Sequence, residues 1–332
     1  MKKNEEENIG KIPYFATIYE PGEKEVVGEL LGKHTRRIFE LPLEKYTQYE
    51  KEKLIEYYEY CISQKYILPR KNKSGKFSYP NIFRQLQGAD FDIEKGFKEI
   101  AHEIIFKNEK LPMEINDDFI NIMNSGFLYV HGRDKFYRPL IIFNPGLLST
   151  VNCSLENWNK FGVFFMEFLV NKCLLPSKVE NWNIIVDLGE LKLTDTPQLK
   201  DIFSAFKGIY RCRLYKLYLL NMNFIFSLAW NMVKLIMGPT LEAKACKVDS
   251  NDGQYDLLFK LINRSQVEKK YGGTAEDLKN GEYYPPRIVS DNYFCEENNG
   301  NDEAQESKNI DESLDQYKDE DSNMTFYEAR TE

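Results

Sequence analysis

Two spacings of apolar residues divide the chain. Up to about residue 110 they recur three and four positions apart, as on one face of a helix. Residues 44–66 place Leu54, Tyr57, Tyr58 and Cys61 on a shared face, and residues 71–76, KNKSGK, form a polar linker. Residues 80–106 predict two helices, the second capped by Asp92 and lined by Ile93, Phe97, Ile100, Ile104 and Ile105. Beyond 110 the apolar runs shorten. Those at 127–130, 140–143, 182–188 and 217–221 are bounded by Gly, Pro or charge, as buried strands are. Helical stripes separate them at 157–172, 201–210 and 224–237, and 256–261 reads as a last helix or strand. Strands alternating with helices imply an α/β fold on a mostly parallel sheet.

Composition narrows the function. Aromatics make up 14% of the 332 residues, with 22 Phe and 21 Tyr, which suits a dense core or the wall of an apolar pocket. The net charge of −8 is concentrated: residues 296–332 hold 13 acids and three bases, leaving about +2 elsewhere. No Lys/Arg stripe points to nucleic acid. The six cysteines form no CxxC pair and the three histidines no HExxH, so no metal site, cofactor or catalytic group is expected. The polar start MKKNEEENIG has no apolar signal-peptide core, and a cytoplasmic setting is the expectation. Residues 214–237 are the one stretch apolar enough to suggest a membrane span. Lys216 and Lys234, each costing roughly 2.5–3.5 kcal/mol at a bilayer centre, argue against it. Residues 224–237 are apolar on nearly every side, and such a helix faces core, ligand or membrane.

Several motifs then fall in order over about 150 residues. They are Gly132-Arg133-Asp134-Lys135 with Arg138-Pro139, Asp187-Leu188-Gly189 at a strand end, Arg213, Asn221, Pro239, Lys244, and Tyr271-Gly272-Gly273-Thr274. With the upstream FRQLQGADFDIEKG segment, this set resembles the CRAL-TRIO lipid-binding family, of the phosphatidylinositol/phosphatidylcholine transfer type. Arg133-Asp134-Lys135 by itself reads as a solvated turn, and Gly272-Gly273 as a tight turn rather than a phosphate loop, since no GxxxxGK[ST] pattern occurs. Asp187 and Glu190 read as strand-end acids with no partner for catalysis.

The resemblance implies a sheet floor with flanking helices and an apolar gate helix, behind an all-helical N-terminal module. The implied domains are an N-terminal extension, partly disordered, at 1–43, the helical module at 44–110, the lipid-binding domain at 111–280 and an acidic disordered tail at 281–332. By the same resemblance, Arg213 and Lys244 would hold an inositol phosphate head group. Phe224, Leu228, Met232 and Ile236 would lie on the gate helix, and Trp182, Ile184 and Ile141 in the pocket wall. Trp182 alone suits a core position or a stack on a cation. Two departures weigh on the head group: Cys212 stands where the family has an acid, and Ala89-Asp90 where it has a basic pair. Polar positions that contact phosphocholine in the family align with Trp182, Ile184, Val130 and Ile141, which makes this pocket more apolar.

The first expectation is therefore a non-enzymatic protein that encloses one phospholipid, phosphatidylinositol first, and exchanges it during transient contact with membranes. The second is a regulatory or scaffold module with altered or no head-group recognition, whose protein partner binds the N-terminal module or the acidic tail.

Overall fold

The computed structural model describes residues 12–69, 71–72, 75–76, 78–151, 153–192, 194, 196–204, 208–222, 238–248 and 255–294. Two short helices, α1 (Tyr14–Ile18) and α2 (Glu23–Val26), lead into a hairpin of β1 (Val27–Leu30) and β2 (Lys33–Arg36). Neither strand shows the run of alternating apolar residues that marks a half-buried strand, so the hairpin escapes a pattern reading. Helix α3 (Gln48–Ser63) starts at a capping box: Thr47 Oγ1 accepts from Glu50 N, and the Glu50 carboxylate accepts from Thr47 N. The same carboxylate takes both Nε and Nη2 of Arg36 at 2.7 Å, so one acid caps the helix and anchors the hairpin. Leu54, Tyr57 and Cys61 are buried as expected, whereas Tyr58 is exposed.

Residues 71–76 are not a plain linker. Within them β3 (Lys71–Asn72) pairs antiparallel with β4 (Gly75–Lys76). Helices α4 (Tyr79–Gly88) and α5 (Ile93–Lys110) follow, and Asp92 caps α5 by accepting from Lys95 N. Ile100 and Ile104 are buried against α3 and α4, but Ile105 is exposed, so the buried face of α5 is narrower than its apolar stripe. The module is thus helical with two small antiparallel strand pairs added.

After α6 (Asp117–Asn124) comes a five-stranded sheet. Its strands are β5 (Leu128–Arg133), β6 (Pro139–Phe143), β7 (Trp182–Asp187), β8 (Leu214–Leu220) and β9 (Ala245–Lys247), in the spatial order β5-β6-β7-β8-β9. β5 pairs antiparallel with β6, and every later pair is parallel. Helix α7 (Leu155–Phe168), prolonged by a π-helical turn at Leu169–Cys173, connects β6 to β7. Helix α8 (Thr196–Ser204) lies in the connection from β7 to β8. The connection from β8 to β9 includes residues 223–237, so the expected gate helix and its Phe224, Leu228, Met232 and Ile236 lie outside the described residues. Residues 256–261, left open between helix and strand, begin with the short helix Asp256–Phe259.

Arg133-Asp134-Lys135 corrects the expectation of a solvated turn. Asp134 is fully buried and accepts from Phe136 N, Arg138 N, Arg138 Nη1 and Asn183 Nδ2 at 2.8–3.1 Å. The Arg133 guanidinium donates to the carbonyls of Tyr137 and Cys173. Charge in a turn ordinarily means solvent, but here Arg133, Asp134 and Arg138 all have internal hydrogen-bond partners. The glycines of Tyr271-Gly272-Gly273-Thr274 do make a tight turn: Gly272 has φ +80°, and a Cβ on Gly273 would lie 1.8 Å from Val267 O. Chain beyond 281 also packs on the domain. Tyr293 is 2% exposed beside Tyr137, and Gln266 Nε2 donates to Ser290 O and Asn292 O.

Candidate lipid-binding site

The two faces of the sheet differ. On one face Leu140, Ile185, Tyr218 and Leu220 are at most 1% exposed, sealed by the C-terminal segment around Leu258, Ile262, Val267 and Tyr271. On the other face, pairing register lines up Val130, Ile141, Ile184, Leu217 and Ala245 in one row across all five strands. Val130 and Ile141 in that row are buried, while Ile184, Leu217 and Ala245 remain half-buried. Trp182 lies on the same face, buried beside half-buried Leu214. A side chain on the central strand of a five-stranded sheet is ordinarily sealed by the layer above it. Here the β5–β6 side is sealed: Trp158 of α7 packs at 4.7 Å on Phe127, which meets Phe143 edge-on. The apolar floor stays accessible on the β7–β8–β9 side. Of the residues expected in the pocket wall, Ile141 and Ile184 are neighbours in the row, and Trp182 stands next to them as core.

The ends of the parallel strands hold the charged groups. Glu180, Arg213 and Lys244 stand just before β7, β8 and β9, at one edge of the sheet. The Glu180 carboxylate accepts from the main-chain N–H groups of Phe39, Glu40 and Ser177 at 2.8–3.0 Å and from Arg84 Nη2. Arg213 Nη1 lies 3.9 Å from the same carboxylate and donates to Glu180 O at 3.1 Å. Burial would raise the Glu180 pKa, but the two guanidinium charges and the N–H donors outweigh it and hold the carboxyl below its usual range. Burial first, then repulsion from Arg84, pushes Arg213 down to about 9 against the pull of Glu180. The two shifts agree once the charges are counted: two guanidiniums share one carboxylate, so the acid is well satisfied and the bases are not. Arg84 Nε and Nη1 are buried without a hydrogen-bond partner, and its guanidinium lies 4.4 Å from the Phe39 ring centroid.

Lys244 Nζ donates to Leu214 O at 2.6 Å, one residue past Arg213. The two expected head-group residues thus share one strand edge, each already engaged within the protein. The departures from the family pattern are engaged too. Cys212 Sγ lies 3.3 Å from Gln87 Nε2, Gln87 clamps the main chain of Arg36, and Asp90 pairs with Lys33 of the hairpin. Sequence reasoning missed Arg84, Glu180 and the hairpin residues. Its one available signal was an isolated charge beside an apolar run, as Arg84 is within IFRQL and Glu180 before the strand starting at Trp182.

A family model described as the CRAL/TRIO domain matches residues 123–273, which span the sheet and the open floor. The chain carries a CRAL/TRIO domain over these residues. Its relatives include CRAL-TRIO domain-containing protein C3H8.02 of Schizosaccharomyces pombe, 23% identical over 163 residues, or 48% of this chain and 35% of that protein. CRAL-TRIO domain-containing protein YKL091C of Saccharomyces cerevisiae is 24% identical over 234 residues, 63% of this chain and 75% of that protein. The chain therefore spans about a third of the first relative's length and three quarters of the second's. The crystal structure of Sfh5 shares the fold, with a TM-score of 0.51 at 12% identity, covering 82% of this chain and 99% of that one. CRAL-TRIO domains form a family of lipid-binding and lipid-transfer proteins, and the α/β fold on a mostly parallel sheet expected from the sequence is the one observed. Among the described residues, no helix is long and apolar enough to cross a membrane.

Proposed function

We propose that this CRAL-TRIO domain encloses one phospholipid, with its acyl chains against the open floor of β7, β8 and β9, and exchanges it at membranes without breaking a bond. The observation that carries this reading is the half-buried row Ile184–Leu217–Ala245 beside the sealed β5–β6 side of the same face. Each acyl methylene kept out of water in such a space contributes about 0.8 kcal/mol, as it does in a bilayer, so a chain moves between the two at little net cost. By sequence alone, the apolar residues 224–237 are the proposed cover.

Phosphatidylinositol is the proposed head group, supported by the cations at the strand edge. If Arg213 and Lys244 hold it, replacing both with Ala lowers phosphatidylinositol transfer between vesicles by about tenfold or more, since each charge-assisted hydrogen bond contributes about 1.5–3 kcal/mol. Arg213 also touches Glu180, so transfer must be read on protein whose thermal unfolding remains cooperative. Transfer at the wild-type rate would assign head-group recognition to other residues. The scaffold reading draws its support from Cys212, Ala89 and Asp90, and from the hairpin that packs on this edge.

A further inference from the structure

Arg37 directly follows β2 and lies in a slot built for its guanidinium. One wall is the Tyr215 ring, whose centroid is 4.8 Å from Cζ. The other is the main chain at Gly28, where an added Cβ would lie 2.3 Å from Cζ and from Nη2. Nη1 donates to Lys24 O at 3.2 Å, which fixes the plane of the group and uses one of its five donors. Tyr215 stands between Leu214, whose carbonyl takes the Lys244 ammonium, and Lys216. The slot thus brings Arg37 to the same strand edge as Lys216 and Lys244.

The charges at this edge are unbalanced. Burial, with the positive charges of Arg37 and Lys216, pushes Lys244 below the usual lysine range, and the one group opposing the shift is the Cys212 thiol. Among the described residues, no carboxylate is one of the groups that shift this ammonium. Asp90 pairs with Lys33, and Glu180 with Arg84 and Arg213. A half-buried ammonium flanked by two cations is stable only where an anion or water offsets the repulsion.

We propose that Arg37, Lys216 and Lys244 hold a phosphate monoester at the leading edge of β8 and β9. A planar guanidinium held flat beside an ammonium suits phosphate, because the fork fixes two oxygens while the lysine adds a mobile point charge. Three cations match a dianionic monoester better than the single charge of a phosphodiester. Arg37 lies on the hairpin, outside the matched CRAL/TRIO residues, so this chain adds a cation of its own to the edge. The phosphate comes from the head group of an enclosed phosphoinositide, an assignment resting on the lipid-enclosing reading, or from solution, which does not.

The test uses the full chain with Arg37→Ala, Arg37→Lys and Gly28→Val. The last keeps the charge but fills the slot, and the clash falls on a flexible side-chain end rather than on backbone. One probe is phosphatidylcholine vesicles doped with phosphatidylinositol monophosphate, read as lipid captured per protein. The other is inorganic phosphate, read by titration calorimetry. Both Arg37→Ala and Gly28→Val are expected to weaken binding of at least one probe by about tenfold, with Arg37→Lys in between. Loss confined to vesicles assigns the phosphate to a lipid, and loss confined to inorganic phosphate assigns it to a soluble ligand. Binding of both probes at wild-type strength in Arg37→Ala and Gly28→Val overturns the proposal. A wild-type protein that captures no lipid yet binds phosphate through Arg37 defeats the lipid reading and leaves this site standing.

Discussion

Replacing Glu180 with Ala lowers the unfolding free energy by about 3–5 kcal/mol, measured by urea denaturation at neutral pH, because it leaves buried guanidinium charge without a counter-ion. Glu180 is 2% exposed and joins three parts of the chain: the segment at Phe39–Glu40, Arg84 of α4 and Arg213 before β8. The loss therefore exceeds that of a surface ion pair, which is about 0–1 kcal/mol. The pH dependence follows from the depressed Glu180 pKa. The unfolded chain binds this proton near the ordinary carboxylate value of about 4.3, and the folded protein binds it only at lower pH. Glu180 thus contributes its full stabilisation above the unfolded pKa, and that contribution is lost as pH falls through the folded one. The Ala variant should lose stability less steeply than wild type across this acid range. A Glu180→Ala protein within 1 kcal/mol of wild type would show that the arginines are satisfied by water.

Substituting Ile184 with Trp separates an open floor from a packed one. Ile184 is on the central strand, between buried Ile141 and half-buried Leu217. If space stands above it, the indole enters that space, the protein folds with near-wild-type stability, and lipid capture from vesicles falls about tenfold or more as acyl contacts at about 0.8 kcal/mol per methylene are displaced. If the face is filled by side chains, the same substitution overpacks the core and costs about 1–3 kcal/mol. Loss of stability with unchanged capture would place the lipid elsewhere.

The sheet was legible because its strands are short apolar runs bounded by Gly, Pro or charge, and parallel pairing follows from the helices between them. Which face Ile141 and Ile184 meet was legible for the same reason: they alternate with Leu140 and Ile185, so one register fixes it. The charged edge was not. Glu180 finds Arg84 across 96 positions and Phe39 across 141, and no periodicity connects them. Arg133 and Asp134 misled because charge in a turn ordinarily means solvent, and their partners Cys173 and Asn183 lie 40 and 49 residues away. The β1–β2 hairpin was silent in the sequence since its stability comes from Arg36 on Glu50 and Gln87 rather than from an apolar face. That hairpin contacts Asp90 directly and Cys212 through Gln87, so two departures from the family pattern have a physical counterpart in this chain.

The most direct test of the lipid-enclosing account is mass spectrometry of the protein purified without detergent, first intact under native conditions and then after solvent extraction. The account predicts one phospholipid per chain, retained through gel filtration and exchanged on incubation with vesicles, with a phosphoinositide among the species recovered. Protein of bare polypeptide mass that takes up no phospholipid from vesicles would contradict it.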